Sequence, residues 1–502
     1  MSYLLFPNQL FELKYFPKDN KPRTVYLLEE PTYFGFRDIK LNFNKLKLVL
    51  HRASMKYYES YLKKNNITVH YLEFNTLQKL KTYKSLLNKE DNIEDLTTFH
   101  LTDHYLEKKI LKSFPKINFL HNPNFLVSQE QLNQYYQDNK SKKTIVHGHF
   151  YNWVKEEINI LTETKSYDTE NRNPLPDNVK IPSIGGLKPT DKKFINEAIK
   201  YVIENFNDNC GPQELTISNC WFPITHSSSK QWLQKFIKER LSNFGTYQDA
   251  IRDDNPFMFH SLIAPMFNIG LLSPHQIIDE VMKEKAKGNI EMNNIEGFLR
   301  QIIGWREYQR YCYLHYYEPM TTANIFKNNR KLDVSLYNGT TGIPPVDDAI
   351  KNAFDNGYLH HIQRLMVISN FFNLIDLEPH QSYIWFMEFS LDSYDWLMTQ
   401  NIYSMGMWAD GGLTMRKPYI STAGYILNMS NYKDSKKTKG EDKDVYWIDV
   451  WKALFYHKIA RHPDIFRKTP YIFQLKGWEK MNKDTQDNLT KTAIKFIKEH
   501  TK

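Results

Sequence analysis

The sequence predicts an α/β domain followed by an all-α domain, α/β + all-α in class. Three observations predict it. Over residues 1–140, short β-branched and aromatic runs alternate with helical apolar patterns. From residue 230 onward, helical patterns follow one another with few strand signals. The length, 502 residues, exceeds what one hydrophobic core ordinarily fills. The expected division is therefore 1–140, a connector over 141–229, and a helical domain over 230–502.

The elements follow in order. Residues 2–6 form an apolar strand stopped by Pro7-Asn8-Gln9. Residues 24–28 are a second strand, ending at Glu29-Glu30. A long helix is expected over 43–64, with Leu46, Leu50, Ala53, Tyr57 and Leu62 in its apolar pattern. A strand at 67–72, another near 97–101, a helix near 104–113 and a strand near 117–120 complete the alternation. Strand and helix at this spacing argue for a parallel sheet with right-handed crossovers. Such sheets bind ligands at the carboxyl ends of their strands. Here those ends carry Asn8, Gln9, Glu30 and Tyr33. No GxGxxG occurs, so the reading does not rest on a dinucleotide fingerprint.

Pro174, Pro176, Pro182, Gly185, Gly186 and Pro189 mark an irregular connector. His147-Gly148-His149 has metal-like spacing but no third ligand nearby, and a loop is expected there. Residues 433–444 contain no apolar side chain and read as a solvated charged loop.

Composition narrows the class. Apolar residues are 41% and charged residues 25%, which fits a globular chain and excludes a disordered one. The net charge of +9 suits a polyanionic partner, but it is modest and spread along the chain. Aromatic residues reach 15%, which serves large cores or stacking on planar ligands. Cys210, Cys220 and Cys312 form no CxxC, which supports neither a disulfide framework nor a zinc or iron–sulfur site, and fits a reducing compartment. No stretch reaches the length of a membrane span, and the first residues lack a basic and apolar leader. A soluble, intracellular (cytoplasmic) monomer without a membrane partner is expected.

One stretch of the helical half combines chemistry with an apolar stripe. Gly357–Met366 reads as a helix in which Leu359, Ile362, Leu365 and Met366 keep apolar spacing. His360, His361 and Arg364 interrupt it, with His361 and Arg364 on one face. An imidazole exchanges a proton near neutral pH, and a guanidinium holds an anion or a carboxylate. The same pattern also suits a His pair at a helix surface or satisfied in a core.

Several segments of this half occur in the order of one family. Ser261-Leu262-Ile263-Ala264-Pro265-Met266-Phe267-Asn268-Ile269-Gly270 resembles the SxLSPxLxxG segment of photolyases and cryptochromes, preceded by Tyr247 and Arg252 as its YxxxxR. Trp305-Arg306-Glu307-Tyr308 resembles the WREF/WREY helix. His360-His361-Ile362-Gln363-Arg364, then Asp392, Ala409-Asp410-Gly411-Gly412 and Lys417-Pro418-Tyr419 follow. The chain thus resembles the photolyase/cryptochrome family, most of all its prokaryotic (6-4) branch, over nearly its whole length.

The resemblance implies a Rossmann-like N-terminal antenna domain and a helical domain holding FAD. Its cofactor-lining positions match Tyr247, Arg252, Ser261, Leu262, Ile263, Gln301, Arg306, Arg364, Asp392 and Met398. Arg364 and Asp392 match a salt bridge beside the isoalloxazine. The substrate implied is UV-damaged DNA carrying a pyrimidine–pyrimidone (6-4) lesion, flipped into the cavity. His361 would protonate the lesion radical anion and take the proton back, His360 would support it, and Tyr419 would contact the lesion. Arg310, Arg416 and Lys417 are the expected DNA contacts. Asn8, Glu30 and Tyr33 match positions lining a 6,7-dimethyl-8-ribityllumazine antenna, with Asn8 where the family has Asp.

The chain also departs from the branch. The branch ligates a [4Fe–4S] cluster through four cysteines, and the matching positions here are Pro345, Lys433, Lys436 and Val445, so no iron–sulfur cluster is expected. The position facing flavin N5 is Met398, which cannot exchange a proton with it. The Trp–Tyr–Trp photoreduction relay matches Trp385, Phe386 and Tyr337, with Trp396, Trp408 or Tyr383 as detours. The expected activity is (6-4) photolyase, a DNA lyase driven by blue light. The alternative is a cryptochrome-type photoreceptor without repair.

Overall fold

The computed structural model describes residues 1–80, 82–86, 96–142, 144–432 and 447–502. The charged stretch 433–444, with Lys433 and Lys436, and Val445 lie outside the described residues. Five strands, β1 (Ser2–Leu5), β2 (Thr24–Leu28), β3 (Thr68–Leu72), β4 (Leu96–Phe99) and β5 (Asn118–Leu120), form one parallel sheet in the order β3-β2-β1-β4-β5. Leu5 pairs with Leu27 and Leu28 with Leu72. Leu4, Leu5, Leu27 and Leu28 are fully buried, as expected of central parallel strands covered on both faces. Strand order reverses between the neighbours of β1, which opens a crevice at the carboxyl end of β1, where Asn8 follows.

Helix α1 (Lys45–Lys64) starts at Asn44, whose side chain accepts from the amide of Leu46. It is the wall shared by both halves of the molecule. On one side it packs on α2 (Pro189–Phe206), where the Arg52 guanidinium pairs with Glu197 at 2.6 Å. On the other side Asn44 Nδ2 donates to Phe354 O, Lys47 Nζ donates to Ser393 O at 2.6 Å, and His51 Nε2 lies 2.9 Å from the Tyr394 hydroxyl. Residues of the connector thus add to the α/β layer rather than spanning a gap.

The remainder is helical, as expected: α3 (His226–Glu239), α4 (Arg306–Thr321), α5 (Pro344–Asn356), α6 (Pro379–Phe389), α7 (Trp447–Arg461) and α8 (Lys483–His500) are its main elements. Phe372, Trp385, Phe386 and Phe389 fill its core in edge-to-face and tilted pairs. Three π-helical stretches, Arg300–Trp305, Gln363–Ser369 and Thr399–Gly406, interrupt the ordinary helices. Such stretches often accompany functional sites.

Two local expectations are corrected. The helix expected over Gly357–Met366 begins at His361, and residues 357–360 are not helical. Gly357 ends α5 with φ +61°, and a Cβ there would meet Leu391 Cδ1 at 1.6 Å, so the chain turns before the new helix starts. His147-Gly148-His149 is not a loop but opens a helix, His147–Glu157. Phe150, Tyr151 and Val154 give it a buried face, and the His147 ring stacks on Trp305 at 3.8 Å. That packing outweighs the helix-weakening glycine.

Candidate functional site

The functional residues converge from three segments. Residues 247–268 supply Tyr247, Ser261, Leu262 and Ile263. The chain from Leu359 into the π-helical stretch Gln363–Ser369 supplies His360, His361 and Arg364. Residues 390–398 supply Asp392 and Met398. Ser261 precedes a turn in which Leu262 holds φ +58°, a conformation that leucine rarely adopts. Backbone of this kind persists where surroundings over-determine it, and it clusters at ligand clamps. Leu262 and Ile263 are buried, Ser261 is half-buried, and Tyr247 lies half-buried beside Phe259.

At the centre lies the pair anticipated from the sequence. Arg364 donates Nη1 to Asp392 Oδ1 at 3.0 Å and Nη2 to Asp392 Oδ2 at 3.2 Å. This fork is the geometry that guanidinium and carboxylate match best. Nε donates to Leu359 O at 2.7 Å and Nη2 reaches Ser390 Oγ, so the guanidinium is held in one orientation. Asn268 Nδ2 donates to Asp392 O at 2.9 Å, and Asn268 Oδ1 accepts from Arg306 Nη1. Arg306 and Arg364 therefore belong to one connected polar site.

Arg306 is the unusual member. Its guanidinium stacks on Phe267 at 3.9 Å and on Trp396 at 4.8 Å. Its Nε has no hydrogen-bond partner, and no carboxylate lies within ion-pair distance among the described residues. Burial pulls this group down from its ordinary value to about 9. Its side-chain hydrogen bond is to the Asn268 amide oxygen, and buried Glu307 offsets its charge from beyond ion-pair distance, which leaves room for a further anion. The Gln363 Oε1 and Gln400 Oε1 atoms are likewise buried without partners. A paired Arg364–Asp392, an under-answered Arg306 and unfilled amide acceptors fit a planar, anionic cofactor such as FAD. Gln301 is half-buried and spends its amide on Gly297 O. Arg252 forks onto Asp254 at 2.9 and 3.0 Å and lies 3.6 Å from Asp177. Met398 is buried at the start of the π-helical stretch Thr399–Gly406.

At the lip of the site His361 is half-exposed, and its Nε2–H donates to Asp249 Oδ1 at 3.2 Å. His360 is buried behind it and stacks at 4.8 Å on His260, a residue that the sequence reading did not select. Burial pushes His260 and His360 well below the ordinary imidazole value, so both are neutral near pH 7. Lys47 was also missed. Burial pulls it down to about 7, while Asp392 works in the opposite direction. Neither residue carries a motif, since each is brought into place by tertiary packing alone.

Of the expected DNA contacts, Arg416 and Lys417 are exposed and Tyr419 is half-buried beside Lys417. Arg310 is a correction. It is 2% exposed, donates to Val127 O at 2.7 Å and stacks on Phe125, so it cannot present charge to a phosphate. The relay residues divide. Trp385 donates Nε1–H to Leu336 O at 2.7 Å, and Phe354 lies 5.6 Å from both Trp385 and Tyr337. Tyr337 donates its hydroxyl to Glu388 at 2.9 Å. Trp396 stands apart from these, against Phe125 and Arg306. In the sheet layer Asn8 Oδ1 and the Tyr33 hydroxyl are buried without partners. Glu30 accepts from Thr32, Tyr83 and Lys109. Pro345 lies buried in α5.

Comparison with known proteins adds to this geometry. Residues 3–216 match the family model of deoxyribodipyrimidine photo-lyase-related protein. The chain is 30% identical over 365 residues to a (6-4) photolyase of Agrobacterium fabrum, covering 71% of each. It is 48% identical over 132 residues to an uncharacterised protein of Acanthamoeba polyphaga mimivirus, covering 26% of this chain and 98% of that protein. In fold it is similar to a bacterial class III photolyase from Agrobacterium tumefaciens, with TM-score 0.60, 14% identity, and 93% and 98% of the two chains covered. A Synechocystis cryptochrome gives TM-score 0.56 at 13% identity over 97% and 93%. No helix among the described residues is long and apolar enough to cross a membrane.

Proposed function

The chain belongs to the photolyase/cryptochrome family, and from that premise we propose that it is a light-driven (6-4) photolyase acting on UV-damaged DNA. The observation that carries the reading is His361 at the exposed lip, one residue after the His360 carbonyl that accepts from Arg364 N at 3.1 Å. A proton donor thus stands at the mouth of a site built around the fixed Arg364–Asp392 pair. FAD, which the family generally holds, supplies the electron under blue light when reduced and bound.

The chain's own residues do the rest. Arg364 and Asp392 neutralise one another and orient the cofactor, while Arg306 faces its anionic part. Asp249 fixes the His361 ring through Nε2–H, so that in the imidazolium form Nδ1–H gives its proton to the lesion, and the neutral ring takes it back at Nδ1. His360 packs behind His361 and limits its rotation. Tyr419 contacts the flipped lesion, and Arg416 and Lys417 hold flanking phosphates. The partnerless Asn8 Oδ1 and Tyr33 hydroxyl support an antenna in the crevice beside β1, with a lumazine as its chemistry.

The test is repair of a (6-4)-bearing oligonucleotide under blue light by FAD-loaded protein. Lesion loss that requires light is expected. Absence of repair with FAD bound would overturn the reading in favour of a photoreceptor. That second reading is favoured by Met398 and by Phe386, an aromatic ring that relays electrons poorly.

A further inference from the structure

We propose that His260, His360 and His361 form a tris-imidazole site for a divalent d-block cation such as Zn2+. One ring nitrogen from each lies within 4.8 Å of those of the other two. The three come from two segments, and two of them are buried. His260 Nε2 and both ring nitrogens of His360 have no hydrogen-bond partner. Buried ring nitrogens are ordinarily answered by protein or water. One nitrogen of each ring can face the centre, so His260 Nε2 and one nitrogen of His360 are unanswered groups open to a ligand.

One ring nitrogen of His361 is already used. His361 Nε2–H donates to Asp249 Oδ1 at 3.2 Å. The Gln248 backbone also acts on the His260 imidazole. Gln248 and Asp249 are consecutive, so one stretch of chain addresses both rings; His361 Nδ1 is left as a lone pair in the neutral imidazole, and His260 Nε2 has no partner. Metal-binding histidines are held in this way, with the second N–H given to a backbone carbonyl or a carboxylate. Asp249 Oδ2 lies 3.5 Å from the Tyr425 hydroxyl, which steadies the carboxylate in turn.

Closure of the cage is small. Zinc–imidazole bonds of about 2.0–2.1 Å in tetrahedral geometry set the nitrogens about 3.4 Å apart. The cluster therefore contracts by about 1.4 Å from the 4.8 Å limit. His361 is half-exposed and can swing without disturbing the core. The rings of His260 and His360 are only 12° from parallel, so one must turn about χ2 to share an ion. His360 has no hydrogen bond to lose in turning. Three imidazoles with no inner carboxylate or thiolate select Zn2+, Co2+, Ni2+ or Cu2+ over Mg2+ and Ca2+. Three protein ligands leave a fourth tetrahedral position for water, on the side of half-exposed His361. Resting on the repair reading above, coordination would occupy His361 Nδ1 and stop repair, making the site a reversible inhibitory switch.

Binding is read without light or DNA. FAD-loaded full-length protein is titrated with Zn2+ by equilibrium dialysis and with Co2+ by its visible d–d absorption. One ion per chain is expected, undisplaced by a hundredfold excess of Mg2+. His361→Gln and His260→Gln should each weaken Zn2+ binding at least tenfold, and Asp249→Asn by about tenfold. His149→Ala, on an exposed helix turn, should change nothing. His361 is at the surface, so its variant folds, and flavin content and circular dichroism verify this. Binding below stoichiometry, or binding unchanged in His361→Gln, overturns the site. In the repair assay, lesion loss should fall at least tenfold as the site fills and return with chelator. Undiminished repair with the site filled overturns the inhibitory role.

Discussion

Glu29 and Glu30, at the carboxyl edge of the sheet, are fully buried carboxylates answered from several sides, whereas Arg306 in the helical site is a buried cation answered by one amide oxygen. Glu29 accepts from Arg52, Tyr71, Tyr201 and the Phe74 amide. Glu30 accepts from Thr32, Tyr83 and Lys109. The sheet layer thus neutralises these charges and leaves small neutral orphans, among them Asn8 Oδ1, the Tyr33 hydroxyl, Ser54 Oγ and Asn124 Oδ1. In the helical half Arg306 makes one side-chain hydrogen bond beside buried Glu307, and Gln363 Oε1 and Gln400 Oε1 have no partner. A buried group that costs free energy when unanswered is retained where something else answers it. The layer next to β1 answers its buried charges from within, and the helical site answers its buried Arg306 less fully.

The comparison can be broken first at Asp392. Asp392→Ala leaves Arg364 without its carboxylate, and loss of one partner from such a pair costs about 3 kcal/mol. Flavin content after purification should fall severely, together with the thermal midpoint. Full flavin retention would mean that the pair is merely structural. Next comes His361→Ala. It should keep FAD and bind damaged DNA within about tenfold of wild type, since one hydrogen bond is worth roughly 1 kcal/mol. Repair per photon should fall about a hundredfold or more, the size of a general-acid contribution. Near-normal repair with flavin bound would remove the histidine mechanism.

Lys47 sharpens the comparison from the shared wall. Its folded value is lowered from 10.5 to about 7 by burial. Between those values the unfolded chain binds more protons, so this group makes stability rise with pH across that window and weighs fully against folding below it. Lys47→Met should stabilise on the order of 2 kcal/mol near pH 6. The gain should shrink towards pH 10 in denaturant titrations. A gain that grows with pH would contradict the assignment. The smallest effect belongs to the sheet layer. Tyr33→Phe removes a hydroxyl with no partner, so without chromophore it should change stability by less than about 0.5 kcal/mol. A large loss would show that the hydroxyl is already used.

Much of this was legible from sequence, and the limits have physical causes. The strands announced themselves because central parallel strands are apolar on both faces, as in β1 and β2. Arg364 and Asp392 were found because motifs in a fixed order carried them. His260 and Lys47 could not be found, because a lone histidine beside a serine and a lysine within a helix look the same whether buried or exposed. Arg310 failed for the same reason: a basic residue expected at a DNA-facing surface looks the same in sequence when buried, and only packing against Phe125 reveals its burial. The start of the helix at His361 depended on Leu391, whose contact with Gly357 is distant in sequence.

The three π-helical stretches have a consequence for how such a site changes over generations. Each lies beside or contains a key side chain: Arg300–Trp305 precedes Arg306, Gln363–Ser369 contains Arg364, and Thr399–Gly406 follows Met398. A π-helical turn closes its hydrogen bonds one residue later than an α turn. It is therefore an accommodated insertion, and deleting one residue within it would restore an ordinary helix. Every side chain beyond the deletion would then rotate by about a quarter turn or more relative to those before it. Substitution can adjust this site only by degrees, but gain or loss of a single codon would re-aim Arg306, Arg364 or the residues that follow Met398 at once.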